Sequence, residues 1–271
     1  MLFTLTVKQK RAFVAILGSC LIFYIIAAYG HVQKGMDLKV LEYSLGTRPT
    51  NTKSGPAFYN MSFDKAALEH GANKTNMLKY QSMYDKYLRP LQGKPIKLLE
   101  IGLGCGEHSE PGASYYTWLE FLPGVDLYVI EDNVICAEAF RTEATNARIA
   151  IGDPADVKFL SKFSNETTLK RKKFDVIIDN GDHSMKQQIT SLEHLWKALA
   201  PGGLYVLENL RTSYLWHYGG DATARDTRIH TTMRYVYALL DDMMNGWAKQ
   251  PVSRELASID CMAEICALRK K

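Results

Sequence analysis

The stretch Leu98-Leu99-Glu100-Ile101-Gly102-Leu103-Gly104-Cys105-Gly106-Glu107 decides the fold. An apolar run closes on an acid and then breaks into glycines at alternate positions, which reads as a buried parallel strand running into a loop. Glycines at 102, 104 and 106 remove the side chains that would keep a ligand off the backbone. The E-x-G-x-G-x-G spacing differs from the G-x-G-x-x-G dinucleotide fingerprint.

Outward from this stretch the chain alternates. Strand-like runs at Ile96–Ile101, Leu127–Glu131, Ala147–Ile151, Phe174–Asp179 and Leu204–Glu208 are separated by helical stretches such as Ser114–Phe121, Val134–Thr145 and Met185–Leu199. That rhythm predicts a parallel sheet with helices on both faces, whose ligand lies at the carboxyl ends of the strands. Glu100, Glu131, Asp179 and Glu208 stand at those ends, where burial demands a polar ligand or a hydrogen-bond network. Asp226 to Trp247 reads as an amphipathic helix, and Glu255–Ile259 with Ala263–Arg269 as a closing antiparallel hairpin.

Before the sheet, 62–95 carries helical periodicity, with Leu68, Met77, Tyr80, Met83, Tyr84, Tyr87 and Leu88 spaced to line one face. Residues 31–61 resemble a stalk. Ala12 to Gly30 is uncharged and long enough to cross a bilayer at about 1.5 Å per residue. Lys8, Lys10 and Arg11 in the 1–11 tail then place the N-terminus in the cytosol and residues 96–271 in a secretory lumen (endoplasmic reticulum or Golgi) or outside. Asn60, Asn73 and Asn165 head glycosylation tripeptides that matter only in such a lumen. A cleaved signal peptide is the other reading of the apolar stretch.

The 271 residues are 46% hydrophobic and 23% charged, with a net charge of +4 spread along the chain, which offers no electrostatic case for nucleic acid. Cys105, Cys136, Cys261 and Cys266 lack metal-site spacing. Cys105 and Cys136 follow neighbouring strands and can come close enough for a disulfide, although free buried thiols are the plainer reading.

The densest reactive cluster closes the fourth strand, in Asp179-Asn180-Gly181-Asp182-His183-Ser184. A histidine beside carboxylates at a strand end suits a general base, because its pKa lies near neutrality and an acid can hold its tautomer. A lone histidine is more often structural.

The glycine stretch is similar to the first motif of class I S-adenosylmethionine (SAM) methyltransferases, and the hairpin-terminated sheet resembles their Rossmann-like, seven-stranded α/β fold. A narrower resemblance lies in Gly71-Ala-Asn-Lys74 with Tyr80 and Tyr84, LEIGLGCGE, IIDNGDHS, LAPGGLYVLENL and RTSYLW with Gly219-Gly220. In that order and spacing these resemble the macrocin and mycinamicin type of sugar O-methyltransferase, over about residues 70 to 268.

The resemblance implies SAM as cofactor and a small-molecule or glycan hydroxyl as acceptor. The loop 102–106, with Glu100, would receive the amino acid part of SAM, Glu131 its ribose hydroxyls, and Asp153 its adenine amino group. A helix-capping Asp153 fits the residues equally well. Lys74 and Tyr80 would belong to a cap over the cofactor, Asp179 would line the same pocket, and His183 with Asp182 would be catalytic. The family holds magnesium with acids at the positions of Asn180 and Asn209, so asparagine at both weakens that site, leaving Asp179 and Glu208 as the candidate ligands. A domain that keeps this fold without catalysis is the alternative those asparagines favour. A nicotinamide-dependent oxidoreductase is disfavoured by the glycine spacing.

Overall fold

The computed structural model describes residues 61–72, 74–75, 79–106, 111–144, 147–169 and 172–271. Seven strands form one sheet in the order β3-β2-β1-β4-β5-β7-β6. They are β1 (Lys97–Ile101), β2 (Asp126–Glu131), β3 (Arg148–Ile151), β4 (Phe174–Asp179), β5 (Leu199–Leu207), β6 (Leu256–Met262) and β7 (Ile265–Lys270). Strands β1 to β5 pair in parallel, β7 runs antiparallel to β5, and β6 is antiparallel to β7. The order turns from descending to ascending between β1 and β4, so their connections leave for opposite sides and a crevice opens beyond their carboxyl ends.

Side chains alternate across each strand, and the register keeps like parities aligned. Leu98, Val129, Ile178 and Val206 face one side. There they pack on α1 (Phe63–Glu69), α2 (Gln81–Tyr87), α3 (Ala113–Phe121) and α4 (Val134–Glu143), with Phe63, Tyr84, Trp118 and Phe140 in the core. Leu99, Ile101, Ile177, Tyr205 and Leu207 face the other side, under α5 (Val157–Thr168), α6 (Met185–Leu195) and α7 (Thr232–Asn245). This parity decides which acids of the sheet can meet.

Several expectations are corrected. Among the described residues of 62–95 there are two short α-helices and a 3-10 turn at Arg89–Leu91 instead of one phase-locked face. Gly71 turns left-handed at φ +70° between them, and Leu68 is 51% exposed. The last helix starts at Thr232, because Thr231 caps it by accepting from the Arg234 N–H at 3.2 Å, while Asp226 is spent binding the Arg228 guanidinium. Helix α5 is an addition to the segments read from sequence, started by Asp156, whose carboxylate accepts from the Lys158 N–H at 2.8 Å. Strand β5 begins five residues early, at Leu199.

Cys105 and Cys136 form a disulfide, with Cα atoms 6.0 Å apart, and Cys261 and Cys266 form a second. The reading as free thiols is thus replaced. The first ties the glycine loop to the opening turn of α4, and by restricting the unfolded chain such a bridge stabilises the fold.

The stretches read as tail, anchor and stalk, with Asn60 and Asn73, lie outside the described residues. Among the described residues no helix is long and apolar enough to cross a membrane. Asn165 lies within α5 rather than on a loop.

Candidate active site

The crevice between β1 and β4 is lined first by the glycine loop. Gly102, Gly104 and Gly106 all adopt left-handed backbone, with φ of +94°, +84° and +87°. A Cβ on Gly102 would come 2.1 Å from the Asn180 carbonyl oxygen, so glycine there lets the loops after β1 and β4 touch. No atom of the described residues lies within 4 Å of a Cβ built on Gly106. Glu131 pins this loop: its Oε2 accepts from the Leu103 N–H at 2.8 Å and its Oε1 from the Asn133 N–H at 2.9 Å. Burial raises its pKa, and those two amides pull the other way. Each oxygen keeps a further lone pair for a ligand hydroxyl. Asp153 is exposed in the loop after β3, where its carboxylate accepts from the Ala155 N–H at 2.6 Å; the cap of α5 is Asp156, so the capping alternative for Asp153 does not hold.

On the α1–α3 side a charged cluster fills the floor. The Lys74 ammonium lies 2.7 and 2.6 Å from the two oxygens of Glu208 and 3.4 Å from Glu100. Tyr84 also donates to Glu208. Glu100 accepts from the Ser114 hydroxyl and, at 3.0 Å, from the Trp118 indole N–H. Oriented to suit these neighbours, the Asn180 amide donates to Glu208 at 3.1 Å and accepts from Lys74 at 3.1 Å. Burial works to lower the Lys74 pKa, but Glu208 and Glu100 outweigh it and leave it raised; burial raises that of Glu100 despite Lys74. Lys74 and Glu100 were expected to bind cofactor, and the structure instead closes both within this network.

Beside the cluster run Tyr80, Asn209 and His183. Tyr80 donates to Asn209 Oδ1 at 2.9 Å and accepts from the Asn209 N–H at 3.0 Å. With Oδ1 so engaged, Asn209 Nδ2 faces His183 Nε2 at 3.0 Å, which makes Nε2 the acceptor and puts the ring proton on Nδ1. Both His183 and Asn209 hold left-handed backbone, at φ +59° and +56°. Two linked non-glycine residues in that region signal a site whose surroundings impose the geometry.

The two aspartates nearest His183 in sequence are elsewhere in space. Asp179 has the parity of Ile177 and points to the α6 side, accepting from Gln187 Nε2 at 2.8 Å and from the Tyr205 hydroxyl at 2.9 Å. Burial there pushes its pKa up to about 6, against the pull of those two donors. Asp182 is exposed and turns back to accept from the Ser184 N–H at 2.8 Å, supporting the residue that caps α6. Its catalytic role was an expectation, and here its carboxylate is turned to the Ser184 N–H. Gln187, Tyr205, Ser114 and Trp118 complete the network and went unnoticed in the sequence. Counting strand parity from Glu100 and Asp179 is the signal that finds the sheet's share of them.

Magnesium does not fit these donors. Both Glu208 oxygens bond to Lys74, the neighbouring positions 180 and 209 offer amides, and Asp179 lies across the sheet. Among the described residues no group of three His, Cys, Asp or Glu side chains could hold a metal ion. Magnesium is usually held by one or two carboxylates and several waters, and the carboxylate nearest positions 180 and 209 is the one already committed to Lys74.

No family model matches the chain. It is similar to mycinamicin VI 2''-O-methyltransferase of Micromonospora griseorubida, at 29% identity over 178 residues, 65% of this chain and 42% of that protein. It is likewise similar to demethylmacrocin O-methyltransferase of Streptomyces fradiae, at 29% over 163 residues, 60% of this chain and 39% of that one. The chain thus spans less than half the length of these two relatives. Among solved structures, the MycE methyltransferase in complex with Mg, SAH and mycinamycin VI superposes with a TM-score of 0.66 at 24% identity, over 79% of this chain and 56% of that one, a likeness of fold. The relatives come from bacteria, which have no endoplasmic reticulum or Golgi. On these relatives the expected lumen-facing placement is withdrawn; the stretch 12–30 read as its anchor lies outside the described residues, among which no helix is long and apolar enough to cross a membrane.

Proposed function

We propose that this chain is a SAM-dependent O-methyltransferase that methylates a hydroxyl of a glycosylated small molecule. The observation that carries the reading is the crevice between β1 and β4. One lip is the left-handed glycine loop pinned by Glu131, and the other begins at Asn180 and leads to the buried His183. The left-handed glycine backbone and the Glu131 carboxylate suit the amino acid and ribose parts of SAM. Relatives that methylate sugar-bearing antibiotics support the acceptor class.

Bound SAM supplies a methyl group on a sulfonium, open to attack by an oxygen nucleophile. His183 Nε2 is the base that takes the acceptor's hydroxyl proton. Asn209 donates to Nε2 and sets the ring plane, and Tyr80 fixes which way the Asn209 amide points. When the acceptor hydroxyl donates to Nε2 it takes the place of the Asn209 N–H. Gln187 supports the strained turn by accepting from the His183 N–H at 3.2 Å. Most of the acceleration comes from holding the two reactants in line.

A second reading, a domain that binds SAM without transferring its methyl group, is favoured by the amides at Asn180 and Asn209. One experiment separates them: methyl transfer from labelled SAM to mycinamicin VI and simpler glycosides, with His183→Ala beside the wild type. The first reading expects transfer by the wild type and a loss of about 10²–10⁴-fold in the variant with SAM binding kept, the range for removing a general base. Equal turnover in the variant removes His183 from the mechanism, and SAM binding with every acceptor untouched favours the second reading.

A further inference from the structure

We propose that the Lys74 ammonium is the built-in cation of this site and lets it work without a divalent metal. This deepens the methyltransferase reading and rests on it for its functional meaning. The argument is one of charge balance in a buried space. Lys74 and Glu208 are both buried and paired through both carboxylate oxygens, so one positive charge already answers one negative charge. Glu100 stands 3.4 Å behind. Among the described residues the side chains beside Glu208 at 180 and 209 are neutral amides, and each is engaged: Asn180 with Glu208 and Lys74, Asn209 with Tyr80 and His183.

A divalent ion placed here would sit beside an ammonium, with its charge largely unanswered. It would also have to draw Glu208 away from Lys74 and Tyr84, leaving the buried ammonium with the charge of Glu100 alone, at 3.4 Å. Asp179 cannot be recruited, because strand parity turns it to the opposite face and into the donors Gln187 and Tyr205. Trading two acids for two amides while dispensing with a doubly charged ion leaves the local charge unchanged, which is why Asn180 and Asn209 belong together.

Manganese serves as the probe. In a titration of the full wild-type chain followed by the paramagnetic resonance of free Mn2+, the free-ion signal should stay undiminished, and dialysis against EDTA should leave both turnover and thermal midpoint unchanged. One Mn2+ held per wild-type chain, or loss of turnover in EDTA restored by Mg2+, overturns the proposal. The variant Lys74→Met/Asn180→Asp/Asn209→Asp, shown to be folded by circular dichroism, should gain one bound Mn2+. If the folded variant takes none, Lys74 and the amides are not what excludes the metal and the assignment is wrong. The wild-type titration needs no substitution, so a variant that fails to fold leaves that test intact. SAM binding measured on the same wild-type sample judges the methyltransferase reading separately, since the Mn2+ readout uses neither SAM nor acceptor.

Discussion

Two buried carboxylates at the carboxyl edge of the sheet, Glu208 and Asp179, are handled in opposite ways. Glu208 faces α1–α3 and meets an ammonium, so it is buried as half of an ion pair. Asp179, at the end of the neighbouring strand, faces α6 and has no ammonium against it; burial pushes its pKa up to about 6 against the pull of Gln187, Tyr205 and, from farther off, His183. One residue of strand parity separates a site that stores a fixed charge from one that resists ionisation. The lesson is that an acid at a strand end says little until the face it points to is known.

Substitution on the Glu208 side breaks this comparison hardest. Lys74→Met would leave Glu208 buried without its counter-charge, and the expected loss is about 3–5 kcal/mol of stability in urea unfolding. Adding Glu208→Gln to the same chain should recover a large part of it, because the unpaired charge is then gone. Equal stability of Lys74→Met and wild type would mean that the pair carries little of the fold.

The Asp179 side responds through pH. Below about pH 4 Asp179 is neutral in both the folded and the unfolded chain. Between about 4 and 6 only the unfolded chain releases the proton, so folding weakens across that window and levels off above it. From a carboxyl shifted from 3.8 to about 6, the change is about 3 kcal/mol. Asp179→Asn keeps the shape without the charge and should flatten this contribution when unfolding is followed at several pH values; an unaltered slope would place the dependence elsewhere. A smaller effect is expected from Tyr205→Phe, which removes one donor to the carboxylate. It should cost about 1.5–3 kcal/mol above pH 6 and less below, with the unfolding profile shifted to higher pH.

The fold was largely legible because parallel strands buried on both faces write themselves as apolar runs, and β4 was read to its exact ends at Phe174 and Asp179. Helix α5 carries a legible amphipathic signal of its own: Lys158, Lys162 and Glu166 recur four residues apart on one face, opposite the buried Leu160 and Phe163. Leu68 misled because Gly71 resets the helical phase. At the site, Glu131 accepts from the glycine loop at Leu103, and Gly102 lies against the Asn180 backbone that leads to His183. Asp182 was overvalued because adjacency in sequence says nothing of where a turn aims its side chains. The pairing of Lys74 with Glu208 spans 134 residues and leaves no local signal at all.

The central claim is that the crevice between the glycine loop and the His183 turn holds SAM. Calorimetric titration of the full chain with SAM in the presence of EDTA tests it most directly. The account predicts one SAM bound per chain, with binding lost in Gly102→Val, whose side chain would collide with the Asn180 backbone. Absence of any heat of binding at millimolar SAM from folded wild-type protein would contradict it.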